Sequence, residues 1–242
     1  MKLSTLYIDG SRGISGNTLT GAFISLGLEP DRLREAINAV IDENEYELII
    51  KEYDSEGRKF IYFNTQASEK GRSTDLSSAA DVLDKIRESA LEKHIRENAA
   101  GILLSLFRSK AEAHEISFGQ VEFRYEGMID TIIDAVGASL GLNHFNIDKV
   151  WVSSLNTGRG TIMLPHKNLD IPAPMTRLLL KNHPTFQNDM DGELVTPTGA
   201  AIINKVAAYH NDIHMEAQLE IGYGLPEDML VENRAVRIGI CD

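Results

Sequence analysis

Of the 242 residues only one, Cys241, is a cysteine. That excludes a disulfide within the chain and any cysteine-built metal centre, and it suits a reducing compartment. Basic residues are also in short supply, with 24 Lys and Arg against 36 Asp and Glu and a formal net charge of −12. A nucleic-acid partner needs a basic field to neutralise phosphates, so this balance argues against one. No apolar run approaches the ~20 residues needed to span a bilayer. The apolar stretch near Leu3 is far too short for a signal peptide. A cytoplasmic protein with no membrane contact is expected. Neither Gly nor Pro is abundant, at 19 and 7 residues, so collagen-like and disordered classes are also excluded.

What is present is ordinary core material. Hydrophobic residues make up 43% of the chain, and a chain of this size hides roughly 70–75% of its unfolded surface. Leu3 to Ile8 reads as a strand, followed by a glycine-rich turn from Asp9 to Gly16 and a helix from Thr18 to Leu26. Pro30 opens a second helix. Tyr46 to Tyr53 and Lys59 to Thr65 read as strands about the turn Asp54-Ser55-Glu56-Gly57. Residues 64–78 are polar and predict a loop. Helices are predicted over Ala79 to Ala90, Ile95 to His114 and Glu126 to Leu142, and a strand over Val150 to Leu155. A helix from Pro197 to about His210 and closing strands at Gln218 to Gly222 and Ala235 to Ile240 complete the pattern. Helices and strands mix without strict alternation and no repeat is visible, so an α+β fold around a central sheet is expected, open to division into two subdomains.

Three segments carry polar residues in patterns that suit chemistry. Asp9-Gly10-Ser11-Arg12-Gly13-Ile14-Ser15-Gly16-Asn17-Thr18 lies between a predicted strand and a predicted helix. Glycines let the backbone approach a ligand, and a helix start offers free N–H groups to an anion. The glycines recur every third residue, which is neither a dinucleotide fingerprint nor a P-loop. A tight structural turn capped by Ser15 or Asn17 is the commoner reading of such spacing. In the helix after Glu126, the residues Glu126, Asp130, Asp134, Gly137 and Gly141 form one stripe. An acidic, side-chain-poor stripe on an otherwise apolar helix should face a cleft, another backbone or a cation, unless it is simply solvated. Asp191-Gly192-Glu193-Leu194-Val195-Thr196-Pro197-Thr198-Gly199-Ala200-Ala201 reads as a helix start capped by Thr196, with a small-residue face. His210 and His214 are expected at the fraying end of that helix. His166, beyond Gly158-Arg159-Gly160, falls in an irregular stretch near Pro165, Pro172 and Pro174.

Taken together, Tyr7-Ile8-Asp9 with Gly13-Ile14-Ser15-Gly16, the run Asp130 to Gly137, Gly158-Arg159-Gly160 with His166 and Pro172-Ala173-Pro174, and Gly192 to Ala201 resemble the nickel-pincer cofactor insertion (LarC-type) family in order. The last block is the most specific. The resemblance implies a single nickel-insertion-like domain over residues 1–242. The family installs nickel in pyridinium-3,5-bisthiocarboxylic acid mononucleotide in a CTP-dependent reaction. By the same resemblance, Ser15, Gly16, Asn17, Thr196 and Thr198 are expected to bind a nucleotide-like cofactor, and His114, Asp130, Asp134 and His166 to approach nickel. Only the family's N-terminal half is covered, so a CTP-dependent nickel chelatase is expected to need a C-terminal partner chain. A homo-oligomer stays open.

The family's Asp after Gly-Ile-Ser-Gly is Asn17 here, its Cys after the first Asp is Gly10, and its His-Xaa-His-Glu run reads Glu122-Phe123-Arg124-Tyr125. No His-rich segment occupies residues 64–78. Loss of ligand-type residues with core and glycines kept suggests the alternative of a non-catalytic binding or regulatory module. Arg124 is expected to pair with Glu126, Asp130 or Asp134 and stand in for the metal.

Overall fold

The computed structural model describes residues 4–68, 76, 78–164, 167–210, 220–226 and 234–241. Its centre is a seven-stranded mixed sheet built from β1 (Ser4–Asp9), β2 (Tyr46–Ser55), β3 (Arg58–Ala67), β4 (Ile147–Val152), β9 (Tyr209–His210), β10 (Glu220–Leu225) and β11 (Val236–Cys241), ordered β2-β3-β10-β11-β1-β4-β9. β1 pairs antiparallel with β11 and parallel with β4, so the first strand sits inside the sheet. Two-stranded pairs flank it: β5 (Leu155–Asn156) with β8 (Thr185–Phe186), and β6 (Thr161–Leu164) with β7 (Lys167–Asp170).

Strand alternation decides which face is covered. Leu6 and Ile8 of β1, Val150 and Val152 of β4, and Ile61 and Phe63 of β3 are buried in the main core. Their neighbours point the other way. Phe60 and Tyr62 join Leu225 and Ala235 in a small second cluster, and Tyr7, Trp151 and Tyr209 form an aromatic row with centroids 6.0 and 5.1 Å apart.

Among the described residues there are seven α-helices. α1 (Gly16–Ser25) lies on β3 and β10, with α5 (Tyr125–His144) packed on it and on α2 (Pro30–Asn38). α4 (Lys93–His114) covers α5 and touches α3 (Ala79–Glu88), α6 (Pro174–Leu179) and α7 (Pro197–Val206). α5 is buried all round from Thr131 to Leu142, as its near-continuous apolar sequence requires. Full burial of a side chain such as Phe23 or Leu19 contributes roughly 1.5–3 kcal/mol.

Several boundaries differ from the expected ones. β3 runs on to Ala67, into the segment expected as a loop; residues 69–75 and 77 lie outside the described residues. The Pro197 helix stops at Val206, not His210. Ala207 turns to ψ 115° and the Ala208 N–H donates to the Val150 carbonyl at 2.9 Å. Sheet pairing thus captures the chain, and His210 stands on a strand instead of at a fraying helix end. His214 lies outside the described residues.

Candidate functional site

β1 delivers the chain to the site. Asp9 ends the strand and caps a single 3₁₀ turn, Gly10–Arg12, by accepting the Ser11 N–H at 2.9 Å. Its carboxylate also receives Nε of Arg237 at 2.9 Å and the adjacent Nη2. Burial pushes its pKa up, but the Ser11 and Arg237 hydrogen bonds outweigh that and hold it below the usual value. Gly13 follows at φ 84°, where an added Cβ would lie 2.1 Å from the Leu194 carbonyl oxygen. Only glycine fits there.

That close approach joins two helix starts. The Ile14 N–H donates to Leu194 O at 2.8 Å, and the Thr196 N–H to Ile14 O at 3.1 Å. Ser15 and Thr18 form a reciprocal capping box on α1, and Thr196 Oγ1 accepts the Gly199 N–H at 3.1 Å on α7, with Pro197 in the first turn. A Cβ on Gly199 would lie 2.3 Å from Ile14 O. Both helices therefore begin side by side, with their positive dipole ends together.

Beside them opens a cavity of about 340 Å³. Ser15, Asn17 and Thr196 line it, as do Arg12, Asn64 and Glu193, with Arg234 on the wall near Leu225. Asn17 donates from Nδ2 to Asn64 Oδ1 at 3.1 Å, while its own Oδ1 is buried without a partner among the described residues. Glu193 Oε1 is in the same condition, and burial raises that carboxyl's pKa. Two guanidinium groups thus line one cavity with Ser15, Asn64 and Thr196, while the unfilled Asn17 and Glu193 oxygens are sealed behind its surface. The set suits a ligand with an anionic group at one end and hydroxyl or amine donors at the other.

Of the expected cofactor residues, Ser15, Asn17 and Thr196 reach this cavity. Gly16 packs behind it, and Thr198 is half-buried outside the lining. Arg12, Asn64, Glu193 and Arg234 were not expected. Arg12 and Glu193 stand inside recognisable motifs, but nothing in the sequence marks Asn64 or Arg234.

From Asp134 to Gly141 the stripe packs on α1, while Asp130 reaches Thr65 of β3 and Glu126 is exposed. An added Cβ on Gly16 would lie 2.1 Å from Asp134 Cγ, one on Gly137 2.6 Å from Thr20 Oγ1, and one on Gly141 2.2 Å from the Phe23 ring. Asp134 is 3% exposed, with Oδ1 lacking a partner. Burial first, and the Asp130 charge second, push its pKa well above the usual carboxylate value. Asp130 is half-buried and accepts from Thr65 Oγ1 at 2.8 Å. These two carboxyl groups come together. His114 is exposed on the last turn of α4, and His166 lies outside the described residues. Among the described residues no three His, Cys, Asp or Glu side chains gather in a metal-holding group.

Arg124 corrects another expectation. It is the residue before α5, exposed, and makes no ion pair with Glu126, Asp130 or Asp134. Asp130 lies six positions on, about 9 Å along the axis and some 240° around it. The substitution cannot bring a cation to that carboxylate. Arg159 is likewise committed, bound to Asp191 and Asp189 at 2.9 and 3.0 Å.

The family pattern described as nickel insertion protein matches residues 6–239. The pyridinium-3,5-bisthiocarboxylic acid mononucleotide nickel insertion protein of Desulfitobacterium hafniense (strain DSM 10664 / DCB-2) is 32% identical over 96% of this chain and 57% of its own length. The protein of the same name from Staphylococcus saprophyticus is 29% identical over 90% of this chain and 55% of its own. The chain spans a little over half the length of these relatives. No solved structure matches it. Among the described residues no helix is long and apolar enough to cross a membrane.

Proposed function

Since the chain belongs to the nickel insertion protein family, we propose that it is the cofactor-cradling portion of a nickel insertase and that the cavity beside α1 and α7 takes a pyridinium mononucleotide. What carries the reading is the convergence of Arg12 and Arg234 with the starts of α1 and α7 on one cavity. The guanidinium groups take the phosphate, with the two helix dipoles adding attraction. The polar wall formed by Ser15, Asn17 and Asn64 offers hydrogen bonds to ribose hydroxyls. Nickel is substrate here; Glu193 is the carboxyl residue in the cradle's own lining, and Asp134 lies behind it against Gly16. The CTP-dependent step falls to the part of the relatives that this chain does not span, supplied as a second chain or segment.

Titration calorimetry with nicotinic acid mononucleotide, a pyridinium mononucleotide without thiocarboxylates, tests the cradle directly. Arg12→Ala should weaken binding by roughly 10–100-fold, the worth of one charge-assisted contact. Wild-type protein that takes no mononucleotide at millimolar concentration overturns the reading. The absence of a three-donor cluster among the described residues favours a second reading, a module that binds the mononucleotide or a partner chain without chelating nickel. Mononucleotide binding by protein that takes up no Ni²⁺ at millimolar concentration would select that second reading.

A further inference from the structure

One side chain of the Asn156-Thr157-Gly158-Arg159-Gly160 segment lies outside the cavity lining yet is tied to both of the cavity's walls. The first wall is the stretch from Arg12 to Thr18, the second the stretch from Glu193 to Thr196. Asn156 is fully buried. Its Nδ2 donates to the Ser11 carbonyl at 3.2 Å and to Asn188 Oδ1 at 2.9 Å, with Met190 Sδ a weaker third acceptor at 3.6 Å. Its Oδ1 accepts the Gly158 N–H at 3.1 Å. Both amide hydrogens and the amide oxygen are therefore occupied, as a buried amide requires. Ser11 stands just before Arg12, and Asn188 begins the loop that leads into Glu193.

Arg12 thus sits between two ties. On one side Asn156 holds the Ser11 carbonyl; on the other Gly13 presses on the Leu194 carbonyl, which the Ile14 N–H also reaches at 2.8 Å. The Arg12 guanidinium forms no ion pair among the described residues, so the backbone that carries it sets its aim. That backbone is a single 3₁₀ turn flanked by Gly10 and Gly13, two residues that resist a swing of the chain least. If the Ser11 tie is cut, the turn can pivot on Gly13. It still stays attached to the fold, because Ser153 Oγ accepts the Gly10 N–H at 2.8 Å and Asp9 caps the Ser11 N–H.

We propose that Asn156 is a positioning residue for the anionic group of the ligand. By fixing the Ser11 carbonyl it aims Arg12, and through Asn188 it fixes the loop entering the opposite wall, so both walls are set before the ligand arrives. The proposal rests on the cavity reading given above and adds to it a residue that touches no ligand. The physical gain is preorganisation: a cation already aimed loses less freedom on binding than one on a loose turn. A buried amide with every hydrogen bond made holds a single geometry and suits that task.

Calorimetry with nicotinic acid mononucleotide on the full chain, Asn156→Ala, Arg12→Ala and the double variant forms the test. Asn156→Ala should weaken binding about tenfold when Arg12 is present, the worth of ordering one long side chain. Where Arg12 is already Ala, the same change should weaken it less than about twofold, because the two residues act as one. Equal weakening in both backgrounds would mean that Asn156 only supports the fold, and overturns the proposal. Asn188→Ala removes one acceptor of the Asn156 amide from an exposed position. It should weaken binding by a smaller factor that also vanishes without Arg12, which keeps the test open if Asn156→Ala fails to fold. Hydrogen exchange at the Ser11 and Gly13 amides reads the tie with no ligand present, and should quicken about tenfold in Asn156→Ala. Unchanged exchange overturns the proposal. Quickened exchange, with no mononucleotide taken by the wild type at millimolar concentration, upholds the tie and overturns the cavity reading instead.

Discussion

Asp9 and Asp134 are enclosed to a similar degree, 6% and 3% exposed, and are treated in opposite ways. Asp9, at the end of β1, has every demand of a carboxylate met by the Ser11 N–H and the Arg237 guanidinium, and so stays ionised below the usual range. Asp134, midway along α5, has one oxygen without a partner, a second carboxyl beside it, and the backbone of Gly16 against it. The first is a clasp between the two chain ends. The second is a poorly satisfied carboxyl on the seam where α1 rests, and satisfied burial reads as structure where unsatisfied burial points to function.

The comparison breaks most sharply at the seam. Gly16→Ala puts a methyl carbon into the Asp134 side chain, where Cβ as well as the carboxyl is within 2.4 Å. The α1 start must move, and urea unfolding should show a loss of about 3 kcal/mol, with mononucleotide binding weakened as well. In Gly16→Ala/Asp134→Ala the loss should fall short of the sum of the single losses by at least about 1 kcal/mol. Strict additivity would mean that the two residues do not share a contact.

Asp9→Ala should cost about 2 kcal/mol by the same measurement, from the lost charge-assisted bonds to Arg237 and Ser11. Arg237 is 40% exposed and can turn to water, which limits the damage. Because this clasp lies in the fold and not in the cavity, protein that remains folded should bind the mononucleotide as wild type does.

The two aspartates should also titrate in opposite senses. The lowered pKa of Asp9 gives stability that is present above the ordinary carboxylate value and lost as pH falls through its folded value. The raised pKa of Asp134 gives stability that is present below the ordinary value and lost as pH rises through the range up to its folded value. Asp134→Asn should therefore flatten the decline of stability above about pH 4, and Asp9→Asn should flatten the decline at lower pH. Melting temperatures followed from acid to alkaline pH read both effects. The same slope in both variants would erase the distinction.

Much of this was legible in the residues themselves. Ser15 three before Thr18, and Thr196 before Pro197, announce helix starts through capping chemistry that is local. The Asp130, Asp134, Gly137 and Gly141 stripe follows from helical spacing alone, and its poverty of side chains forecast the close packing of α1, whose Gly16, Thr20 and Phe23 lie on it. What was illegible depends on partners far away in the chain. Arg234 and Asn64 join the cavity only because β3 and β11 lie on either side of β10. His210 was placed on a helix because the apolar run after Pro197 continues without a breaker. An N–H to Val150 on another strand ended that helix, and local propensity carries no trace of it.

The smallest expected effect belongs to Arg124, and it tests the same lesson. From position in the sequence, a cation six residues before Asp130 looks like a counter-ion for the acidic stripe. In the fold it is exposed, outside the first turn of α5, with its carbonyl accepting from Met128 N–H at 2.9 Å and its side chain in no ion pair with the stripe. A backbone carbonyl is indifferent to the side chain attached, so Arg124→Ala keeps that bond. An exposed side chain with no such partner should change the melting temperature by less than about 2 °C. Arg124→His should leave Ni²⁺ affinity at the wild-type value, because a ring at this position is no nearer Asp130 than the guanidinium was. Calorimetry on the two variants settles it. A gain in Ni²⁺ affinity for Arg124→His would show that the entry to α5 does reach the carboxylates, and that the stripe is guarded by a cation after all.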